Sequence, residues 1–223
     1  MRVLSIVSPG NDSGKTSLVA ALCAAFPGRF TAVKGTTIHP EEEGRCPRSE
    51  EVECACRSLE GDFAILTDPV IVAQPGTDTG RIAAAGARRV LWAIGRPETY
   101  AALAAALRRE FVRDDEIVVT EGNTLAARLS PEIRLFVANP HVPWDSFKSA
   151  TESLCEEADL LVLNPFPLRR AEASPSEIER TCERLIRARA GRPWVYADLS
   201  RPLGPENGAG ALALVRDRFL RGV

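Results

Sequence analysis

Residues 2–7 read Arg-Val-Leu-Ser-Ile-Val, residues 8–17 read Ser-Pro-Gly-Asn-Asp-Ser-Gly-Lys-Thr-Ser, and an alanine-rich stretch follows. An apolar, β-branched run, a glycine-bearing loop, Gly-Lys-Thr and a helix former make the layout of a P-loop. This stretch constrains the fold more than any other, because such a loop works only between a strand and a helix N-terminus. There the backbone N–H groups and the helix dipole converge on an anion. The expected nucleotide-binding residues are Gly10, Asn11, Asp12, Ser13, Gly14, Lys15, Thr16 and Ser17. Lys15 is expected to reach the outer phosphates and the Thr16 hydroxyl to hold Mg²⁺. Pro9 stands five places before Gly14, where the usual pattern has glycine. Proline removes a donor and fixes φ, so the mouth of the loop is expected to differ in shape.

The rest of the chain alternates strand and helix signals. Helical spacing runs over 16–26 and ends at Pro27-Gly28. Residues 30–34 read as a strand that delivers Lys34 to its carboxyl end, where open α/β sheets place their ligand crevice. Residues 62–67 and 70–73 are two short apolar runs parted by Asp68-Pro69, read as a strand pair or a broken strand. Asp78 enters a small-residue helix, either as its N-cap or as a functional carboxylate. Residues 89–94 read as a strand and 97–110 as a helix with proline in its first turn. Residues 116–120 form a buried strand ending in Glu121, where P-loop proteins keep a carboxylate for Mg²⁺ or for water; Asp68 competes for that role. Strands are further expected over 133–138, 159–163 and 193–197, and helices over 146–157, 174–189 and 209–220. About eight strands alternating with helices predict an α/β, three-layer P-loop NTPase fold with a mostly parallel central sheet, in one domain spanning 1–223. Asn164 follows a late strand where GTPases carry Asn-Lys-x-Asp, and is a candidate base contact. Pro165 and Pro167 stand at the Lys and Asp places, so guanine and adenine both remain open.

Three of six cysteines and one of two histidines crowd into residues 39–58. His39, Cys46, Cys54 and Cys56 offer a four-ligand set of the chemistry that suits Zn²⁺ or an iron–sulfur cluster, against plain loop thiols. Cys23, Cys155 and Cys182 fall on helices and read as small buried hydrophobes.

Net charge is −2, which supplies no basic excess for nucleic acid or an anionic membrane. The first apolar run is only a strand long, so neither a signal peptide nor a transmembrane span is expected, and the chain reads as cytoplasmic. Of 28 basic residues only Lys15, Lys34 and Lys148 are lysine. The phosphate position thus keeps a compact point charge in a chain that otherwise uses arginine.

The Asn-x-Ser-Gly-Lys-Thr form of the loop, Lys34, Asp78-Thr79 before Ala-Gly-Ala (85–87) and Glu121-Gly122, taken in that order over roughly residues 1–140, resemble the MobB family of molybdopterin-guanine dinucleotide biosynthesis proteins. The resemblance implies a GTP-binding, Mg²⁺-dependent homodimer with slow hydrolysis. Such a protein assists the partner enzyme that joins a guanine nucleotide to molybdopterin. It implies phosphate and Mg²⁺ at Lys15 and Thr16, with Asp78 and Glu121 near the γ-phosphate. The chain departs from the family at Pro9 and in the Cys-bearing insertion at about 39–58, where that family has a histidine-rich loop. Two alternatives stand beside it: a nucleotide-driven metal-insertion protein using the Cys cluster, and a small-molecule kinase. A kinase needs an arginine clamp, for which Arg81, Arg88 and Arg89 are the sequence neighbours.

Overall fold

The computed structural model describes residues 1–38, 61–166 and 173–220. Among these residues eight strands form one sheet: β1 (Arg2–Val7), β2 (Phe30–Thr37), β3 (Phe63–Leu66), β4 (Arg89–Gly95), β5 (Ile117–Glu121), β6 (Ile133–Ala138), β7 (Leu160–Leu163) and β8 (Trp194–Tyr196). Their order is β3-β4-β2-β5-β1-β6-β7-β8. All neighbours pair in parallel except the edge strand β3, which runs antiparallel to β4.

Alternation of side chains along the central strands sends apolar residues to both faces, as a sheet covered on both sides requires. From β1, Leu4 and Ile6 join one core with Leu18 and Leu22 of α1 (Lys15–Ala25), Ile82 of α3 (Asp78–Ala84) and Val215 of α8 (Ala209–Val215). Val3 and Val7 face the other way. There they meet Leu103 of α4 (Tyr100–Ala106), Leu125 and Ala126 of α5 (Asn123–Leu129), Cys155 of α6 (Thr151–Glu157) and Leu185 of α7 (Pro175–Ala188). The result is the expected three-layer α/β fold around a mostly parallel sheet.

Four elements depart from their expected form. Residues 69–72 are not a strand but a one-turn helix, α2 (Pro69–Val72). Asp68 caps it by accepting from the Val70 amide at 2.9 Å, and Pro69 starts it with a preset φ. The expected helix over 146–157 forms as a 3₁₀ turn at Trp144–Ser146 and then α6, which begins only at Thr151. The helices expected over 97–110 and 209–220 close in wider π turns at Leu107–Phe111 and Arg216–Leu220. The fully buried Arg189 ties the α6 end to the α7 end by donating to the carbonyls of Cys155, Ala158 and Pro193.

Candidate functional site

The loop between β1 and α1 lies at the carboxyl ends of the parallel strands. β1 is flanked by β5 on one side and β6 on the other, so the chain after each of those strands borders the loop. Gly14 precedes α1 with φ 100°, a left-handed conformation that glycine adopts without strain. A Cβ there would also sit 2.9 Å from Asn164 Nδ2 and 3.1 Å from the Leu199 side chain. Asp12 takes φ 56°, which a short polar side chain tolerates.

Lys15 folds back over the loop and donates to the Gly10 carbonyl at 2.7 Å and the Ser8 hydroxyl at 2.8 Å. Burial brings its pKa down to about 8; Glu121 opposes that shift, and the like charges of Lys34 and Lys148 add to it.

Register joins the next layer. Glu121 of β5 pairs with Ile6 of β1 and with Lys34 of β2, so the Glu121 carboxylate stands between the loop and Lys34. Thr16 donates from its hydroxyl to Glu121 Oε1 at 3.1 Å. The Lys34 ammonium donates to that same oxygen and forms an ion pair with Asp78 Oδ2 at 2.9 Å. Glu121 is 1% exposed and Lys34 15%. Burial alone would lower the Lys34 pKa, but Glu121 and Asp78 outweigh it and hold the ammonium charged above its ordinary value. Glu121 Oε2 is buried and has no hydrogen-bond partner. A carboxylate oxygen left in this way beside a threonine hydroxyl is a donor set of the hard-oxygen type that Mg²⁺ takes.

Asp78 is not the N-cap of α3. Thr77 is, accepting from the Gly80 amide at 2.9 Å, which leaves the Asp78 carboxylate for Lys34. Gly80 closes that turn, since a Cβ at this residue would lie 1.9 Å from the Gln74 carbonyl oxygen. Asp68, its cap role filled at α2, is exposed and outside the cluster.

Asn164 is buried behind the loop, 4% exposed. Its Oδ1 accepts from the Leu199 amide at 3.2 Å and the Phe166 amide at 3.4 Å, so the carboxamide braces the chain after β7 against Gly14. Arg81 donates to Ser17 Oγ at 3.1 Å, at the edge of the site. Arg89 lies elsewhere and pairs with Glu116 at 2.8 Å.

Two residues of the site carry no signal in a P-loop pattern. Asn123, in the first turn of α5, accepts from the Ser8 amide at 3.0 Å and donates to the Ser8 carbonyl at 2.8 Å. It pins the start of the loop as a neighbouring strand would. Lys148 donates its backbone amide to the Pro9 carbonyl at 2.9 Å, on the β6 side of the loop. Thus all three lysines of the chain lie at the loop, which the lysine-to-arginine ratio could have flagged.

The expected thiol–imidazole set, His39, Cys46, Cys54 and Cys56, lies outside the described residues. Among the described residues no group of three or more His, Cys, Asp or Glu is placed to hold a metal ion. Cys23 and Cys155 are buried, and burial pushes their thiols up to about 12 and about 11, as inert packing residues; Cys182 is partly exposed. Among the described residues no helix is long and apolar enough to cross a membrane.

No family model and no curated protein matches the chain. Among solved structures, the septum site-determining protein MinD complexed with Mg-ADP from Pyrococcus horikoshii is similar to it at 17% identity and a TM-score of 0.38. That similarity covers 81% of this chain and 76% of the other.

Proposed function

We propose that the protein binds a nucleoside triphosphate, GTP or ATP, with Mg²⁺ at the β1–α1 loop and hydrolyses it slowly. The observation that carries this reading is the joined cluster Lys15, Thr16, Glu121, Lys34 and Asp78, with one buried carboxylate oxygen left unpartnered. Amides of residues 10–17 and the α1 dipole receive the phosphates. Lys15 exchanges its two internal acceptors, Gly10 O and Ser8 Oγ, for phosphate oxygens. Thr16 and Glu121 would hold Mg²⁺, which supplies charge neutralisation between the outer phosphates. Asp78, half-buried and ion-paired with Lys34, would orient water once Lys34 no longer takes its full charge. Asn164 keeps Gly14 and the chain after β7 together and so shapes the base end of the site.

The role built on that chemistry follows the resemblance: a MobB-like adaptor, dimeric and cytoplasmic, whose bound nucleotide presents a surface to an enzyme of molybdenum-cofactor biosynthesis. The metal-insertion alternative stands on His39, Cys46, Cys54 and Cys56 and is decided by metal analysis of anaerobically purified protein.

The binding reading is tested by titrating GTP and ATP with Mg²⁺ into wild-type protein and Lys15→Ala. Losing one charge-assisted phosphate contact costs about 1.5–3 kcal/mol, roughly a 10- to 150-fold weaker complex. Equal affinity in the two proteins removes the loop as the site.

A further inference from the structure

We propose that Lys34 is a resident cation at the carboxylate pair, and that it yields to Mg²⁺ only when a triphosphate arrives with the metal. The site then selects the metal–nucleotide complex over free metal. This rests on the proposed nucleotide-binding function.

Three observations carry it. The Lys34 ammonium bridges Asp78 Oδ2 and Glu121 Oε1, so it occupies the carboxylate that Mg²⁺ would use and pairs with the one beside it. Thr16 bonds to that same Oε1, so ammonium and threonine hydroxyl share one oxygen. Glu121 Oε2 is buried and left over, although a purely structural ion pair would be free to satisfy both oxygens.

Charge then decides what the site accepts. Asp78 and Glu121 carry two negative charges and Lys34 one positive, a net of minus one. Adding Mg²⁺ while Lys34 stays leaves a net of plus one in a largely buried place, with the Lys15 charge close by. Like charges brought together out of water repel strongly, so metal alone is disfavoured. The phosphate tail brings the missing negative charge. Lys34 can then turn from Glu121 to a phosphate oxygen while the carboxylate passes to the metal. Asp78, on α3, feels the exchange directly, since its ion-pair partner has moved.

The decisive experiment measures Mn²⁺, without nucleotide, by electron paramagnetic resonance in wild-type protein, Lys34→Met and Lys34→Arg. Lys34→Met is expected to bind Mn²⁺ at least about tenfold more tightly than wild type, a factor worth 1.4 kcal/mol. Lys34→Arg, which keeps the charge, is expected to stay weak. Equal Mn²⁺ affinity in Lys34→Met and wild type overturns the proposal.

A second readout needs no variant. Lysine labelled with ¹³C at Cε gives three resonances, because the chain has three lysines. The Lys34 resonance is expected to stay fixed under Mg²⁺ alone and to shift with Mg²⁺ plus a non-hydrolysable triphosphate. A shift under Mg²⁺ alone, or none under the complex when the complex binds, overturns the proposal. Failure of wild-type protein to bind any triphosphate would instead remove the function on which it rests.

Discussion

Lys15 is the residue whose charge the loop controls most directly. Burial lowers its pKa to about 8, so the free protein loses that positive charge as pH rises through 8. A bound phosphate favours the charged form and holds the proton on, so affinity is complete below that value and declines above it. Triphosphate titrations from about pH 7 to about pH 9 are expected to weaken steadily, whereas Lys15→Ala is expected to be flat over the same range. Lys148 acts at the same scale from the opposite side of β1. Its backbone is fixed on Pro9, and among the described residues its ammonium makes no hydrogen bond or ion pair. Lys148→Ala is expected to weaken triphosphate binding severalfold, with a smaller loss at high salt where an exposed charge is screened. Salt-dependent calorimetry checks both parts. At this scale the sequence was readable where chemistry is written into a spacing, as at Lys15 and Thr16. It was silent where a side chain mimics backbone: Asn123 serves Ser8 through hydrogen bonds that no local pattern encodes.

Elements carry the carboxylates to the site, and each does so by a local rule. The α3 turn delivers Asp78 to Lys34 because Thr77 takes the cap and Gly80 lets the Gln74 carbonyl approach. Gly80→Ala places a methyl against backbone that cannot move cheaply. The expected cost is about 1–3 kcal/mol, typical of overpacking, with weaker Mg²⁺-dependent nucleotide binding because Asp78 moves with the turn. Thermal unfolding and titration of the same sample separate the two effects. The strand at 117–121 and its terminal Glu121 were legible from a buried apolar run ending in an acid. The α2 turn was not, because Pro-Val-Ile-Val has strand composition and only the Asp68 cap with Pro69 behind it makes a helix. The late start of α6 was hidden in the same way: Lys148 is held on Pro9, so Trp144–Ser146 turns tightly before the helix can begin.

For the whole molecule, the alternation of strand and helix signals made the three layers legible, since each strand must be covered on both faces. Strand order was not legible. Nothing in the spacing says that β5 and β6 flank β1, yet that order alone brings Glu121 beside Thr16 and Lys148 beside Pro9. The order also has a cost in time. Thr16 meets its carboxylate partner across 105 residues, and Ser8 meets Asn123 across 115. During synthesis β1 waits, apolar and unpaired, until both of its neighbours have been made, which favours slow folding and a need for shelter from aggregation. A chain stopped before residue 117 holds the entire β1–α1 loop and is nonetheless expected to bind no triphosphate in a filter or fluorescence assay. Competence for nucleotide would then mark the moment at which the nascent chain has closed its sheet.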